Sequence, residues 1–176
     1  MLHRILDVHR EACFDCTGVS RRFRRVCLEA AGALAGQRWA LRLAAERGHV
    51  AALRALLDGG ADLEADLKDE SLPLRPGGTA LHCAARSGRA GAARLLLAAG
   101  SAVDSRTADR ATPLYCAAQN GHVEVVQLLL DAGSAIDAAD ATGWTALHSA
   151  AREGHAEAVQ LLLGAGSAVD AADAEG

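Results

Sequence analysis

The sequence predicts an all-α fold, a solenoid of stacked helix-turn-helix units, from three observations. Thr79-Ala80-Leu81-His82, Thr112-Pro113-Leu114-Tyr115 and Thr145-Ala146-Leu147-His148 start 33 residues apart. Glycines keep the same step, with Gly88, Gly121 and Gly154 in one series and Gly100, Gly133 and Gly166 in another. Half of the chain is apolar, yet only five of its 176 residues are aromatic, so alanine and leucine must supply the core. A period of this length, with helical content, marks units that bury their apolar faces against one another.

Thr112 to Asp140 shows the unit most clearly. Thr112 can accept an orphan N–H as N-cap, and Pro113 loses no hydrogen bond at the first helical position. Leu114, Cys116, Ala117 and Ala118 make a short helix that a neighbour can approach closely, and Gly121 ends it. Val123, Val125, Val126, Leu128, Leu129 and Leu130 are apolar over more than one stripe, which predicts a second helix buried against several neighbours. Gly133 ends that one.

TPLY, the two TALH sequences, the Gly121-His122 and Gly154-His155 pairs and the leucine runs resemble the ankyrin repeat. The resemblance spans residues 34–176, with repeats at about 34–66, 74–106, 107–139 and 140–172, an insertion at 67–73 and the start of a fifth repeat at 173–176. It implies a helical solenoid with hairpin-like finger loops whose function is to bind protein. It also implies that His82 and His148 bond to neighbouring backbone and to the threonine opening their helices. Arg42 and Tyr115 stand in that position elsewhere, so the same pattern is not expected there.

The first repeat is degenerate. Trp39-Ala40-Leu41-Arg42 takes the place of the capped opening, and loss of the cap hydroxyl costs about 1 kcal/mol. Leu41 to Leu81 spans 40 residues, seven more than the period. The excess falls in Leu67 to Pro76, where two prolines forbid a regular helix. At the far end Asp173-Ala174-Glu175-Gly176 matches Asp140-Ala141-Thr142-Gly143, so the array is expected to continue and its last repeat to fray.

Residues 1–33 read as a helical segment. Ser20 is an N-cap candidate, and Phe23, Val26, Cys27, Ala30, Ala31 and Leu34 share one helical face, with Arg21, Arg22, Arg24 and Arg25 opposite. One reading is a cap helix shielding the first repeat. The other follows from residue order: Ile5-Leu6, Ala12-Cys13, Val19-Ser20-Arg21-Arg22-Phe23-Arg24 and Trp39 together are similar to the F-box. That resemblance implies docking of Ile5, Leu6, Val19 and Phe23 onto the adaptor subunit of a cullin-based, SCF-type ubiquitin ligase, with the array recruiting the substrate. Trp39 belongs to both readings.

Charge and motifs exclude other classes. Residues 1–38 hold seven arginines against four acids, and the remainder eleven basic against eighteen acidic residues, within a net charge of -4. An acidic array argues against nucleic acid. Equivalent histidines (His49, His122 and His155; His82 and His148) lie one repeat apart, too far to share a metal. Cys13 and Cys16 have no second pair at finger spacing, and Cys83 and Cys116 read as small core residues. No phosphate loop, nucleophile elbow or zincin motif occurs. No metal, no cofactor, no catalytic residue and no membrane span are expected, and the chain reads as an intracellular monomer, cytoplasmic or nuclear.

Positions the fold does not need are the candidate partner-binding set. They are Arg86, Gln119, Asn120, Arg152 and Glu153 at the ends of first helices, and Arg106, Asp109, Arg110, Asp140 and Trp144 in the fingers. Trp144 precedes a capping threonine where Gly78 and Ala111 stand elsewhere, and a large aromatic there is a hot-spot candidate. The expected function is protein binding, either as the substrate-recruiting subunit of a ligase or as a scaffold or inhibitor whose first helices only cap the stack.

Overall fold

The computed structural model describes residues 34–64 and 78–169, and among them there are eight helices and no strand. They are α1 Leu34–Arg47, α2 Val50–Asp58, α3 Ala80–Arg86, α4 Ala90–Ala98, α5 Pro113–Gln119, α6 Val123–Asp131, α7 Ala146–Arg152 and α8 Ala156–Gly164. The odd-numbered helices pack in sequence as an inner layer and the even-numbered ones as an outer layer, each pair closed within its own repeat. No helix of the described residues is long and apolar enough to cross a membrane. The segment 1–33, with Ile5, Leu6, Val19, Phe23, Cys13 and Cys16, lies outside the described residues. So do the insertion 67–73 and the repeat start 173–176.

Composition explains the layering. The inner helices carry pairs of fully buried alanines, Ala44-Ala45, Ala84-Ala85 and Ala117-Ala118, which let successive helices approach closely. One leucine per repeat, Leu53, Leu96, Leu129 and Leu162, is completely buried from the outer layer. Each stabilises the stack by about 1.5–3 kcal/mol relative to exposure. The second helix of the third repeat meets α4, α5 and α8, as its broad apolar surface predicts, although Leu128 and Leu130 are only partly buried.

Caps set the helix starts. The Thr112 hydroxyl accepts from the Tyr115 N–H at 3.2 Å, with Pro113 in the first turn. In α3 and α7 the histidine completes a capping box. His82 Nδ1 accepts from the Thr79 N–H at 3.1 Å, and His148 Nδ1 from the Thr145 N–H at 3.2 Å. An accepting Nδ1 carries no proton, so His82 Nε2 donates, to the Ala111 carbonyl at 3.1 Å in the next finger. The histidine role implied by the family resemblance is therefore met.

The first repeat corrects one expectation. Trp39 is not a failed N-cap: α1 begins at Leu34 and runs through it, so position 39 is helix interior with its backbone bonds made. Its indole is partly buried against the core.

Candidate protein-binding face

The fingers close just before the inner helices start, as the Thr107 N–H to Ala111 carbonyl and Asp140 N–H to Trp144 carbonyl bonds show, and the last turns of those helices carry the other candidate positions. At the helix ends Arg86 and Gln119 are half-buried, while Asn120, Arg152 and Glu153 are exposed. The local cause is the repeat itself: the alanines and leucines face inward, and the last turn before each glycine projects outward. Gly121 has φ +68°, a left-handed backbone that lets the chain reverse there.

Several finger residues of the candidate set carry structural bonds as well. The Arg106 guanidinium donates to the Ala139 carbonyl at 3.0 Å, tying one finger to the next. The Asp109 carbonyl accepts from the Ala141 N–H at 2.9 Å. Asp140 Oδ1 accepts from the Thr142 N–H at 2.8 Å, the Thr142 hydroxyl at 2.7 Å and the Trp144 N–H at 3.0 Å. Burial pushes the Asp140 carboxyl up, but these bonds and the Tyr115 hydroxyl outweigh it and hold the group below its ordinary range. Arg110 is exposed with φ +60°, a left-handed arginine where the next finger has Gly143.

Trp144 has a packing role within its own repeat. The Arg152 guanidinium lies 5.1 Å from the centre of its ring, and the His148 ring is tilted against it at 6.1 Å. Arg152 also pairs with Glu153 at 3.3 Å. Tyr115, standing where a capping histidine stands in α3 and α7, reaches across the junction instead. Burial raises its phenol, whose hydroxyl faces Ser149 and Asp140. Tyr115, Asp140, Trp144 and Arg152 thus form one cluster at the junction of the third and fourth repeats.

At the other end lies a cleft of about 300 Å3 between the ends of α1, α3 and α5, lined by Arg42, Glu46, Cys83, Arg86, Ser87 and Asn120 among others. Arg42 is 6 % exposed and its Nε donates to Cys83 Sγ at 3.5 Å. Arg86 repeats the relationship one unit on, 3.9 Å from Cys116 Sγ. Burial pushes the Cys116 thiol up, with Arg86 opposing. The sequence names Arg86 and Asn120 but misses Arg42 and Glu46. The available signal was Arg42 itself, a charge at a position otherwise held by residues bonded inside the fold.

The described residues contain no group of three or more histidine, cysteine or acidic side chains able to hold a metal ion. The two cysteines among them, Cys83 and Cys116, are free and buried.

The comparisons agree with the architecture. A family model described as ankyrin repeats (3 copies) matches residues 29–107 and 92–173. No curated protein matches the chain. Repeat spacing, capping histidines, two-layer stacking and this match lead to one conclusion: the chain belongs to the ankyrin-repeat family, a non-catalytic fold that mediates protein–protein interaction.

Proposed function

We propose that the array holds an extended segment of a client protein across its inner-helix ends and fingers, and that residues 1–33 form a separate unit delivering that client to a ubiquitin ligase. The observation that carries the first half is the division of labour in each inner helix. Its alanines and leucine are buried, while Arg86, Gln119, Asn120, Arg152 and Glu153 project from the last turn with side chains the core does not use. Trp144 borders the same side from its finger, where the Arg152 guanidinium lies over its ring.

The second half rests on residue order: Ile5-Leu6, then Val19 through Phe23, then Trp39. In this reading Ile5, Leu6, Val19 and Phe23 contact the adaptor subunit of an SCF-type ligase. A second reading, a scaffold whose first helices only cap the stack, is favoured by Trp39, whose indole packs against the repeat core. Co-elution of the full chain with the adaptor on size exclusion separates them. A complex that Phe23→Ala abolishes, with helicity unchanged, supports the ligase reading. No complex with the wild-type chain overturns it and leaves the scaffold.

A further inference from the structure

The turn between α5 and α6 carries the only asparagine of the chain, and a glycine follows it: Asn120-Gly121. The same turn reads Arg47-Gly48, Ser87-Gly88 and Glu153-Gly154 in the other repeats. The third repeat alone thus places a side-chain amide next to a backbone nitrogen with no Cβ beside it. Such a pair has its own chemistry. The nitrogen of the following residue can attack the asparagine side-chain carbon Cγ, and glycine offers the least steric resistance to that approach. Asn120 is exposed, so water and hydroxide reach it.

The folded turn holds the reacting atoms apart. Asn120 has ψ of 5°, which sets the Gly121 nitrogen beside the residue's own amide nitrogen and away from its side chain. Asn120 Nδ2 donates to the Cys116 carbonyl at 2.8 Å, anchoring the side-chain amide over the last turn of α5. The Gly121 N–H, whose proton must leave for the nitrogen to attack, donates to the Ala118 carbonyl at 3.1 Å. From the fourth repeat the His155 ring packs against Gly121 and bonds to the Gln119 carbonyl. Attack on Cγ therefore needs the end of α5 to open, and its rate follows the population of that opening.

We propose that Asn120 is a site of spontaneous deamidation, gated by the seam between the third and fourth repeats, and that its isoaspartyl product breaks that seam. Hydroxide or water removes the Gly121 N–H proton and the nitrogen bonds to Cγ. The Cγ–Nδ2 bond breaks, ammonia leaves and a cyclic imide remains. Water then opens the imide on either side. Cleavage of the new Cγ–N bond restores the original main chain with aspartate at 120. That product loses the donation to the Cys116 carbonyl and sets a negative charge at a helix C-terminus, but the turn keeps its length. Cleavage of the original peptide bond instead routes the chain through Cγ and inserts a further main-chain atom before Gly121. The reversal that Gly121 makes at φ +68° then falls out of register with the Ala118 carbonyl and with His155.

The test incubates the full chain at neutral pH and body temperature and follows residue 120 by peptide mapping with mass detection. The same chain in concentrated urea and a His155→Ala variant of unchanged helicity run in parallel. The expected result is conversion at residue 120, at least about tenfold slower in the folded chain than in urea, with His155→Ala in between. Equal rates in the folded chain and in urea, or a His155→Ala rate no faster than that of the wild type, overturns the gating. No conversion in urea overturns the site itself. The products are separated as intact chains and told apart by a protease that cuts before aspartate and not before isoaspartate. The isoaspartyl form should unfold at clearly lower urea than the wild type, and Asn120→Asp should stay closer to the wild type than that form does. An isoaspartyl form as stable as Asn120→Asp overturns the loss of the seam.

Discussion

His155 lies against the backbone of Gly121, where a Cβ would fall 2.6 Å from Nδ1, and its Nε2 donates to the Gln119 carbonyl at 3.1 Å. His122 makes the same contact with Gly88 and the Arg86 carbonyl. Each clasp ties an outer-helix start to the end of the inner helix one repeat earlier. Gly154 has a similar left-handed backbone, φ +78°, but nothing within 4 Å of its would-be Cβ.

That pair of glycines separates strain from contact. Gly154→Ala should cost about 1 kcal/mol, the conformational term alone. Gly121→Ala adds displacement of the His155 ring and should cost roughly 2–4 kcal/mol. Urea unfolding of both variants measures the difference. Equal losses would mean that the clasp contributes nothing.

A second contrast concerns the junctions between turns. Asp104 accepts from the Ser134 hydroxyl at 2.8 Å and the Ala135 N–H at 3.0 Å, and Asp137 does the same for Ser167 and Ala168. Glu64 stands in this position before the second repeat and accepts from the Ala102 N–H at 2.8 Å, but the Ser101 hydroxyl is buried without a partner. One extra methylene carries the carboxylate past it. Glu64→Asp should therefore stabilise the protein by about 0.5–1.5 kcal/mol, and Ser101→Ala should be neutral or stabilising. Thermal melts would show either one; a clear loss in both would sink the account.

Trp39 offers a sign test. If it were a defective cap, Trp39→Thr would stabilise the first repeat. Because it is helix interior with its indole against the core, the change should destabilise by about 1–3 kcal/mol.

His49 predicts a pH dependence. Burial, then the charges of Arg47 and Arg89, lower its imidazole below the ordinary 6.5. The unfolded chain then binds a proton before the folded one does, so stability falls as pH drops from about 6.5 toward the folded value, and is flat above it. His49→Gln removes that contribution. The stability gap between wild type and variant, followed by denaturant titration from pH 8 to pH 5, should move against the wild type over that interval. A constant gap would contradict the direction assigned here.

Much of the fold was legible because the repeat states it several times. Thr79, Thr112 and Thr145 announce helix starts, and the glycine series announces the turns, so agreement between units outweighs any local ambiguity. Trp39 departs from the expected cap for the complementary reason. A pattern borrowed from the other repeats places a cap where the backbone simply continues, and nothing in Trp39 itself reports the five helical residues before it. The binding face was legible only as a set of spare positions. Side chains from different repeats meet there, as Arg42 meets Cys83 and Tyr115 approaches Asp140, and distance in the chain hides such meetings.

The recurrence of one clasp also makes the units exchangeable. Removing 33 consecutive residues between the second and fourth repeats would bring His155 over Gly88, with the Arg86 carbonyl in place of that of Gln119. The clasp at the new seam would be the same as the one it replaces. As far as the clasp is concerned, array length can change by whole-unit deletion or duplication in the gene. What would change is the row of exposed side chains, and with it the partner.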